Sequence, residues 1–398
     1  MRRLVILGAG YAGVRAAQTL TARLEEMEVV LIDRHLGQEI LTEMYKVAAG
    51  HREPARVEIP LHRLLPHHRN LRIVQADIER LDWRRREVLT SRAAIAYESL
   101  LVCLGATPEY YAVPGAREHA LTLQYLDSAV RVRRRLERLA RRGGGHVVIV
   151  GGGLTGVELA SEIASGHPGR FHLTLAQAAA SILPDEEPRL AAYAERVLER
   201  VDIDVRRGES VRRVGEGGVQ LSSGALLPAD LVLWTGGVRG NPLPQEAGLP
   251  VDGRGRLRVL GTLEVDGCPG IFAAGDVAAV PGPDGHALPP TAQLAVQEGF
   301  RAARNIVRVM RGQEPQPLQV RILGMAASLG RGRGIARLGH LSLQGRPGQI
   351  VHEPALLRYL YGIGGLGLLR REGYLSWTSP PAATPQAKSD GASRLLGH

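Results

Sequence analysis

The sequence predicts an α/β fold: two Rossmann-like βαβ units, the second inserted into the first, with a C-terminal region after them. Three segments carry this expectation. Gly8-Ala9-Gly10-Tyr11-Ala12-Gly13 follows the apolar run Leu4-Val5-Ile6-Leu7. Gly151-Gly152-Gly153-Leu154-Thr155-Gly156 follows Val147-Val148-Ile149-Val150. Ile271-Phe272-Ala273-Ala274-Gly275-Asp276 lies downstream of both.

Each loop sits between a strand run and a helix run. A strand ending in Gly-x-Gly turns tightly and brings backbone close to a pyrophosphate, and the helix that starts there offers free N–H groups and a positive dipole end. The last glycine of each loop, Gly13 or Gly156, lets helix and strand pack closely. A second strand is then expected to end in an acid that binds a ribose hydroxyl. In the first unit Val29-Val30-Leu31-Ile32 leads into Asp33, 20 residues beyond Gly13. Two such loops in one chain imply two dinucleotides, a flavin and a nicotinamide, and hence electron transfer.

The second unit departs from the pattern. Its second strand, Phe171 to Ala176, ends in Gln177, 21 residues beyond Gly156. Glutamine hydrogen-bonds a ribose hydroxyl without repelling a 2′-phosphate, and no arginine follows within Ala178-Ala179-Ala180-Ser181. NADH is therefore expected ahead of NADPH, with NADPH left open. A second site that serves only as scaffold is the remaining alternative.

Composition bounds the class. A chain of 398 residues, 44% hydrophobic, is long enough for two or three domains with real cores. It holds no apolar run of the roughly 18 residues a membrane-spanning helix needs. The N-terminus enters a strand within a few residues, which leaves no room for a targeting peptide. Two cysteines, Cys103 and Cys268, make no disulfide framework. The net charge of +10 rests almost wholly on arginine, since the lysines are Lys46 and Lys388 alone. The basic run Arg131 to Arg142 has Val132, Leu136 and Leu139 at helical spacing and reads as a solvated helix face. Nucleic acid is not expected as a partner; an anionic membrane surface suits the charge.

The expected organisation is a flavin domain in two parts (1–115 and 241–320) around a nicotinamide domain (116–240), then a membrane or dimer region (321–378) and a disordered tail (379–398). Strands are expected at 71–76, 87–90, 99–104, 231–234 and 271–273, and helices at about 127–142 and 291–311. The strand at 99–104 runs into Gly105-Ala106-Thr107-Pro108.

Further motifs resemble a known family. They are Leu41-Thr42-Glu43-Met44-Tyr45-Lys46-Val47-Ala48-Ala49-Gly50, Ala112-Val113-Pro114-Gly115-Ala116 with Glu118-His119-Ala120, Gly152 to Glu158, and Pro290-Thr291-Ala292-Gln293-Leu294-Ala295-Val296-Gln297-Glu298-Gly299. Over residues 1–378 the chain resembles the glutathione-reductase-like flavoproteins with two dinucleotide sites. Within these it is most similar to the type II NADH dehydrogenases, single-subunit NADH:quinone oxidoreductases.

The resemblance implies FAD held by Gly8, Gly10, Gly13, Asp33, Gly105, Ala106, Thr107, Gly275, Asp276 and Ala292. It implies NADH (or NADPH) held by Gly151, Gly153, Gly156 and Gln177. Asp276 would bind a ribityl hydroxyl, and Ala292 and Gln293 would present N–H groups to the flavin pyrimidine edge. Gln293, Gln297 and Glu298 would contact a quinone, menaquinone or ubiquinone, and Glu158 would act around the nicotinamide and in proton handling. The alternative for Gln297 and Glu298 is a solvated helix face, and for Glu158 an acid favoured by the helix dipole. One departure is Gln38-Glu39-Ile40, where the family often has aromatic and proline residues.

Disulfide reductases need a cysteine pair beside the flavin and sulfide:quinone oxidoreductases a paired relay; no cysteine precedes Val102, and Cys103 and Cys268 read as inert. No metal site is expected. The apolar segment 355–369, flanked by Arg370, Arg371 and Trp377, is too short to span a bilayer and suits an interfacial position. Its four glycines argue against a regular amphipathic helix, and a buried hairpin or dimer contact is the alternative. The expected protein is thus a peripheral, non-pumping, ping-pong NAD(P)H:quinone oxidoreductase on the cytoplasmic side of the plasma or inner membrane, and a homodimer. The alternatives are a soluble NAD(P)H:ferredoxin or rubredoxin reductase and an NAD(P)H-sensing flavoprotein without turnover.

Overall fold

The structure is a computed structural model that describes residues 2–65, 68–352 and 354–372. The first unit opens with β1 (Arg3–Leu7), α1 (Tyr11–Thr21) and β2 (Glu28–Asp33). A short helix, α2 (Met44–Ala48), precedes β3 (Leu71–Gln75) and β4 (Ser99–Val102). The chain then enters the second unit. This comprises β5 (Ala120–Leu121), α3 (Leu126–Arg141), β6 (Gly145–Val150), α4 (Leu154–Gly166), β7 (Phe171–Gln177), α5 (Pro188–Arg200), β8 (Ile203–Arg207) and β9 (Leu231–Trp234). It returns to the first unit through β10 (Ile271–Ala273) and α6 (Ala292–Met310).

The first sheet has the strand order β10-β4-β1-β2-β3 and the second β5-β9-β6-β7-β8, and all pairings in both are parallel. The two orders are the same when β1 is laid on β6. Parallel strands are covered on both faces, so they read as continuous apolar runs: Leu4, Val5, Ile6 and Leu7 are all fully buried. Because β10 hydrogen-bonds β4, the second unit is an insertion into the first. The crossing is made by a two-stranded antiparallel pair, Ala106–Pro108 with Val238–Gly240.

α3 follows the expected pattern. Val132, Leu136 and Leu139 are buried, while Arg131, Arg134, Arg138 and Arg141 face outward. α6 is capped by Thr291, whose Oγ1 accepts a hydrogen bond from the Leu294 N–H at 3.2 Å, an arrangement worth about 1 kcal/mol.

The C-terminal region holds a small sheet that no pattern in the sequence marked. Three antiparallel strands, β11 (Met325–Ser328), β12 (Gly334–Leu338) and β13 (Leu341–Gly345), are followed by α7 (Arg346–His352). Glycines at Gly324, Gly330, Gly334, Gly339 and Gly345 interrupt the alternation that would mark these strands in the sequence.

α8 (Pro354–Arg371) is two helical arms joined at Gly365, which takes φ 61 and ψ −163. The glycines thus bend the segment without abolishing the helix. Its inner side docks on α1. Tyr359 exchanges hydrogen bonds with Gln38 and meets the Tyr11 ring edge-on at 4.6 Å, and the Gln18 amide donates to the Ile363 carbonyl at 3.0 Å. Among the described residues no helix is long and apolar enough to cross a membrane. Trp377 and the tail expected at 379–398 lie outside the described residues.

Candidate active site

Both glycine loops form the same backbone device. Gly8 and Gly151 take φ 98 and 106, a left-handed turn open to glycine. Their N–H groups donate to Ile32 O and Ala176 O, each at 2.8 Å, which ties each loop to the end of the neighbouring strand. A Cβ on Gly13 would collide with the Gly8 carbonyl, and one on Gly156 with the Gly151 carbonyl. These glycines let α1 and α4 begin directly against their strands.

At Gly10 and Gly153, by contrast, an added Cβ meets nothing within 4 Å. The mouth of each loop is open space beside the N–H groups of a helix's first turn, which have no intrahelical acceptor. Neither first turn carries an acid. An anionic pyrophosphate fits both places.

The residues that end the second strands brace these loops. Asp33 Oδ2 accepts the Ala9 N–H at 2.7 Å and Oδ1 accepts the His35 N–H at 2.8 Å. Gln177 Oε1 accepts the Gly152 N–H at 2.9 Å, and its amide donates to Ser181 O at 3.3 Å. Thr235, unremarked in the sequence, donates its hydroxyl to Val150 O at 2.9 Å and lies 3.0 Å from Gly151 O.

Gly275 and Asp276 follow β10 and face the start of α1; a Cβ on Gly275 would sit 3.3 Å from that of Ala12. The protein packed around Asp276 pushes its carboxyl up to about 6, against the attraction of Arg256. Ala292 starts α6. Gly105, Ala106 and Thr107 lie in the crossing between the units, where Gly105 O accepts from the Asn241 N–H at 3.2 Å and Ala106 O from the Gln124 amide at 2.8 Å.

The polar residues of α6 take partners other than a solvated face. Gln293 and Gln297, one turn apart, hold the segment before β11: Leu323 N–H donates to Gln293 Oε1 at 2.7 Å and Arg321 N–H to Gln297 Oε1 at 2.9 Å. Val320, Ile322 and Leu323 on that segment are exposed and apolar. Glu298 points elsewhere, because one residue turns about 100° around a helix. It is 4% exposed and accepts the Gly275 N–H at 2.6 Å. Burial, with help from the Asp276 charge and against the Gly275 hydrogen bond, pushes its carboxyl up to about 7. Glu298 therefore joins the Gly275-Asp276 turn rather than the surface where Gln293 and Gln297 stand.

Glu158, on the second turn of α4, faces the C-terminal sheet. Its Oε1 accepts the Ser328 N–H at 3.1 Å and lies 3.4 Å from His352 Nε2. His352 Nε2 is in turn 3.1 Å from the Tyr45 hydroxyl. Sequence reasoning missed His352, Ser328, Glu162 and His51. One signal was present: Glu158 and Glu162 are four apart, hence on one helical face.

Cys103 follows β4 beneath the first loop and is buried; burial pushes its thiol well up, and burial also raises Cys268. Both are buried with their thiols shifted toward the protonated form, the opposite of a reactive thiolate. Among the described residues no cluster of metal-ligating side chains occurs.

Two open-mouthed dinucleotide loops on duplicated parallel sheets define a two-nucleotide oxidoreductase. Residues 2–299 match the family model for the pyridine nucleotide-disulphide oxidoreductases, and the chain belongs to that family. It is similar to the type II NADH:quinone oxidoreductases of Staphylococcus aureus (strain COL) and Staphylococcus epidermidis. Each is 26% identical to it over 94% of this chain and 98% of theirs. In fold it is similar to NDH2 of Plasmodium falciparum, solved with NADH (TM-score 0.83, 15% identity, 93% of this chain and 97% of that one). It also matches the sulfide:quinone oxidoreductase of Aquifex aeolicus (TM-score 0.78, 18% identity, 92% of each chain).

Proposed function

We propose that the protein is an FAD-dependent NADH:quinone oxidoreductase, peripheral to a membrane, that also admits NADPH to a lesser degree. The observation that carries the reading is the pair of braced, open glycine loops together with two cysteines too buried to relay electrons. When bound, FAD would supply the two-electron chemistry that links the nicotinamide to the quinone. The chain supplies placement, electrostatics and protons.

The first loop, Asp33 and Asp276 are assigned to FAD. The second loop and Gln177 are assigned to the nicotinamide dinucleotide. The start of α6, at Ala292, would offer its N–H groups and positive dipole end to a bound flavin. Glu158 is assigned a role beside the nicotinamide.

Gln293 and Gln297 hold the segment Val320 to Leu323, whose Val320, Ile322 and Leu323 are exposed and apolar, and together these make the proposed quinone wall. Tyr361 and Leu366 of α8, 57% and 63% exposed and close in sequence to the outward Arg358 and Arg370, support contact with an anionic membrane surface. The domain limits 1–115, 116–240 and 241–320 are part of the same proposal, as are homodimerisation and a cytoplasmic-side position.

The test is anaerobic rapid mixing of the yellow protein with NADH or NADPH, then with a short-chain quinone. Fast bleaching and fast reoxidation by quinone support the reading. Fast bleaching with slow quinone reoxidation favours a ferredoxin or rubredoxin partner. No bleaching with either nucleotide removes the enzyme and leaves a sensor or scaffold.

A further inference from the structure

We propose that Arg207, the last residue of β8, receives the adenosine 2′-phosphate of NADPH at the second dinucleotide loop, and that Glu195 of α5 attenuates it so that NADH and NADPH are both taken. The inference rests on the NAD(P)H reading above and names a residue for the preference that Gln177 alone leaves open. NADPH differs from NADH by one phosphate on the adenosine ribose. A residue that tells them apart must stand where that ribose stands.

Register places Arg207 there. β7 and β8 run parallel and in step: Leu173 pairs with Ile203, Leu175 with Val205 and Gln177 with Arg207. Residues paired across adjacent strands project to the same face of the sheet, and neighbouring strands lie about 4.8 Å apart. Arg207 is thus the lateral neighbour of Gln177, on the face where Gln177 reaches the glycine loop at Gly152. Both residues end their strands, and nucleotides bind beyond the carboxyl ends of strands in open parallel sheets.

The backbone that follows keeps the two together. Gly208 N–H donates to Ala179 O at 2.9 Å and Glu209 N–H to Gln177 O at 3.0 Å. Ala178, Ala179 and Ala180 bring neither charge nor bulk to this corner, and a Cβ on Gly208 would meet nothing within 4 Å. Arg207 keeps half of its side chain exposed. A phosphate has room and access.

The surrounding charges give the site an intermediate strength. Arg207 Nε lies 3.1 Å from Glu195 Oε1, and its Nη1 donates to Glu195 Oε2 at 3.4 Å. This grip orients the guanidinium fork and leaves other N–H donors for a phosphate oxygen. The Glu195 charge repels that same phosphate. Arg206 belongs to the opposite face, where it pairs with Asp204 at 2.7 Å, and Glu209 is held by Ser222 and Ser223. An acid at position 177 would exclude NADPH, and an arginine without Glu195 would favour it; this chain has neither.

The experiment is titration calorimetry of the flavin-loaded protein, without turnover, using NAD⁺, NADP⁺, 5′-AMP and adenosine 2′,5′-bisphosphate. The parent is compared with Arg207→Ala, Arg207→Lys, Arg206→Ala and Glu195→Gln, each checked for melting temperature. Arg207→Ala should weaken NADP⁺ and the bisphosphate roughly tenfold and change NAD⁺ and AMP by less than about twofold. Arg207→Lys should keep part of the NADP⁺ affinity, Arg206→Ala all of it, and Glu195→Gln should raise it relative to NAD⁺. Arg207→Ala also uncovers the Glu195 charge, so the same substitution is made in the Glu195→Gln background, where the NADP⁺ loss should persist. Added salt should shrink the NADP⁺ advantage of the parent over Arg207→Ala. Unchanged NADP⁺ binding in Arg207→Ala, an equal loss of NAD⁺ and NADP⁺, or a loss that vanishes in the Glu195→Gln background overturns the assignment. A parent that binds neither nucleotide overturns the second site itself, and the function with it, which keeps the two failures apart.

Discussion

The two dinucleotide units differ at one position that their shared geometry makes conspicuous. Sheet order, the left-handed first glycine, the loop-to-strand hydrogen bond and the closing glycine recur in both. At the end of the second strand, however, one has Asp33 and the other Gln177. Both accept a loop N–H, at 2.7 and 2.9 Å. Bracing the loop thus requires an acceptor oxygen and not a charge. The negative charge at Asp33, missing at Gln177, is thus not needed for the brace, and in the proposed function its place is toward the ligand's ribose.

The largest effect expected from breaking this symmetry comes from the closing glycines. Gly13→Ala drives a Cβ into the Gly8 carbonyl, a backbone conflict of about 1–3 kcal/mol or more. The variant should purify without flavin. Gly156→Ala should stay yellow but lose bleaching by NADH. Equal flavin loss in both, read from absorbance spectra, would mean that the units are not separate sites.

Next is Asp33→Ala, which leaves the Ala9 and His35 N–H groups without their carboxylate. Hydrogen bonds to a charged group are worth about 1.5–3 kcal/mol, so flavin affinity should fall roughly tenfold to a hundredfold. Gln177→Ala should weaken NADH binding by less, since a neutral bond is lost. Titration calorimetry ranks the two.

A sharper probe is Gln177→Glu. Its oxygen keeps the Gly152 brace while the new charge disfavours NADPH, so the NADH-over-NADPH ratio of kcat/KM should rise about tenfold, for roughly 1.4 kcal/mol. An unchanged ratio would place the ribose elsewhere.

The smallest effect concerns pH. Burial raises Asp276 and Glu298 to about 6 and about 7. A raised carboxyl favours the folded state while protonated, so this stabilisation is full below the ordinary carboxyl range. It is lost as pH rises through about 6 to 7. Flavin-free protein should melt at progressively lower temperature from about pH 4.5 to 7.5, and Glu298→Gln should flatten that slope. A slope unaltered by the variant would remove Glu298 as its source.

Much of this molecule was legible in its residues. The strand runs before Gly8 and Gly151, the helices near 127–142 and 291–311 and the return strand at 271–273 are local patterns of period and turn chemistry, which act within a few residues. Asp33 and Gln177 were legible for the same reason, because a βαβ unit fixes the spacing from loop to second strand. The C-terminal sheet was not, since glycines break its alternation. The inward turn of Glu298 was not either, although its neighbours Gln293 and Gln297 share the face that their spacing implied.

Only the tertiary structure decided what surrounds Glu158. Tyr45 and His352 are 307 positions apart, and Glu162 and Ser328 are 166 apart. No periodicity or propensity links such residues. They meet because α7 and β11 fold back on α4 while α2 packs against it from the first unit, and burial then favours hydrogen bonds among their polar groups. The sequence by itself determined two nucleotide loops and their braces through short-range stereochemistry. The polar cluster around Glu158 exists only once the chain has closed.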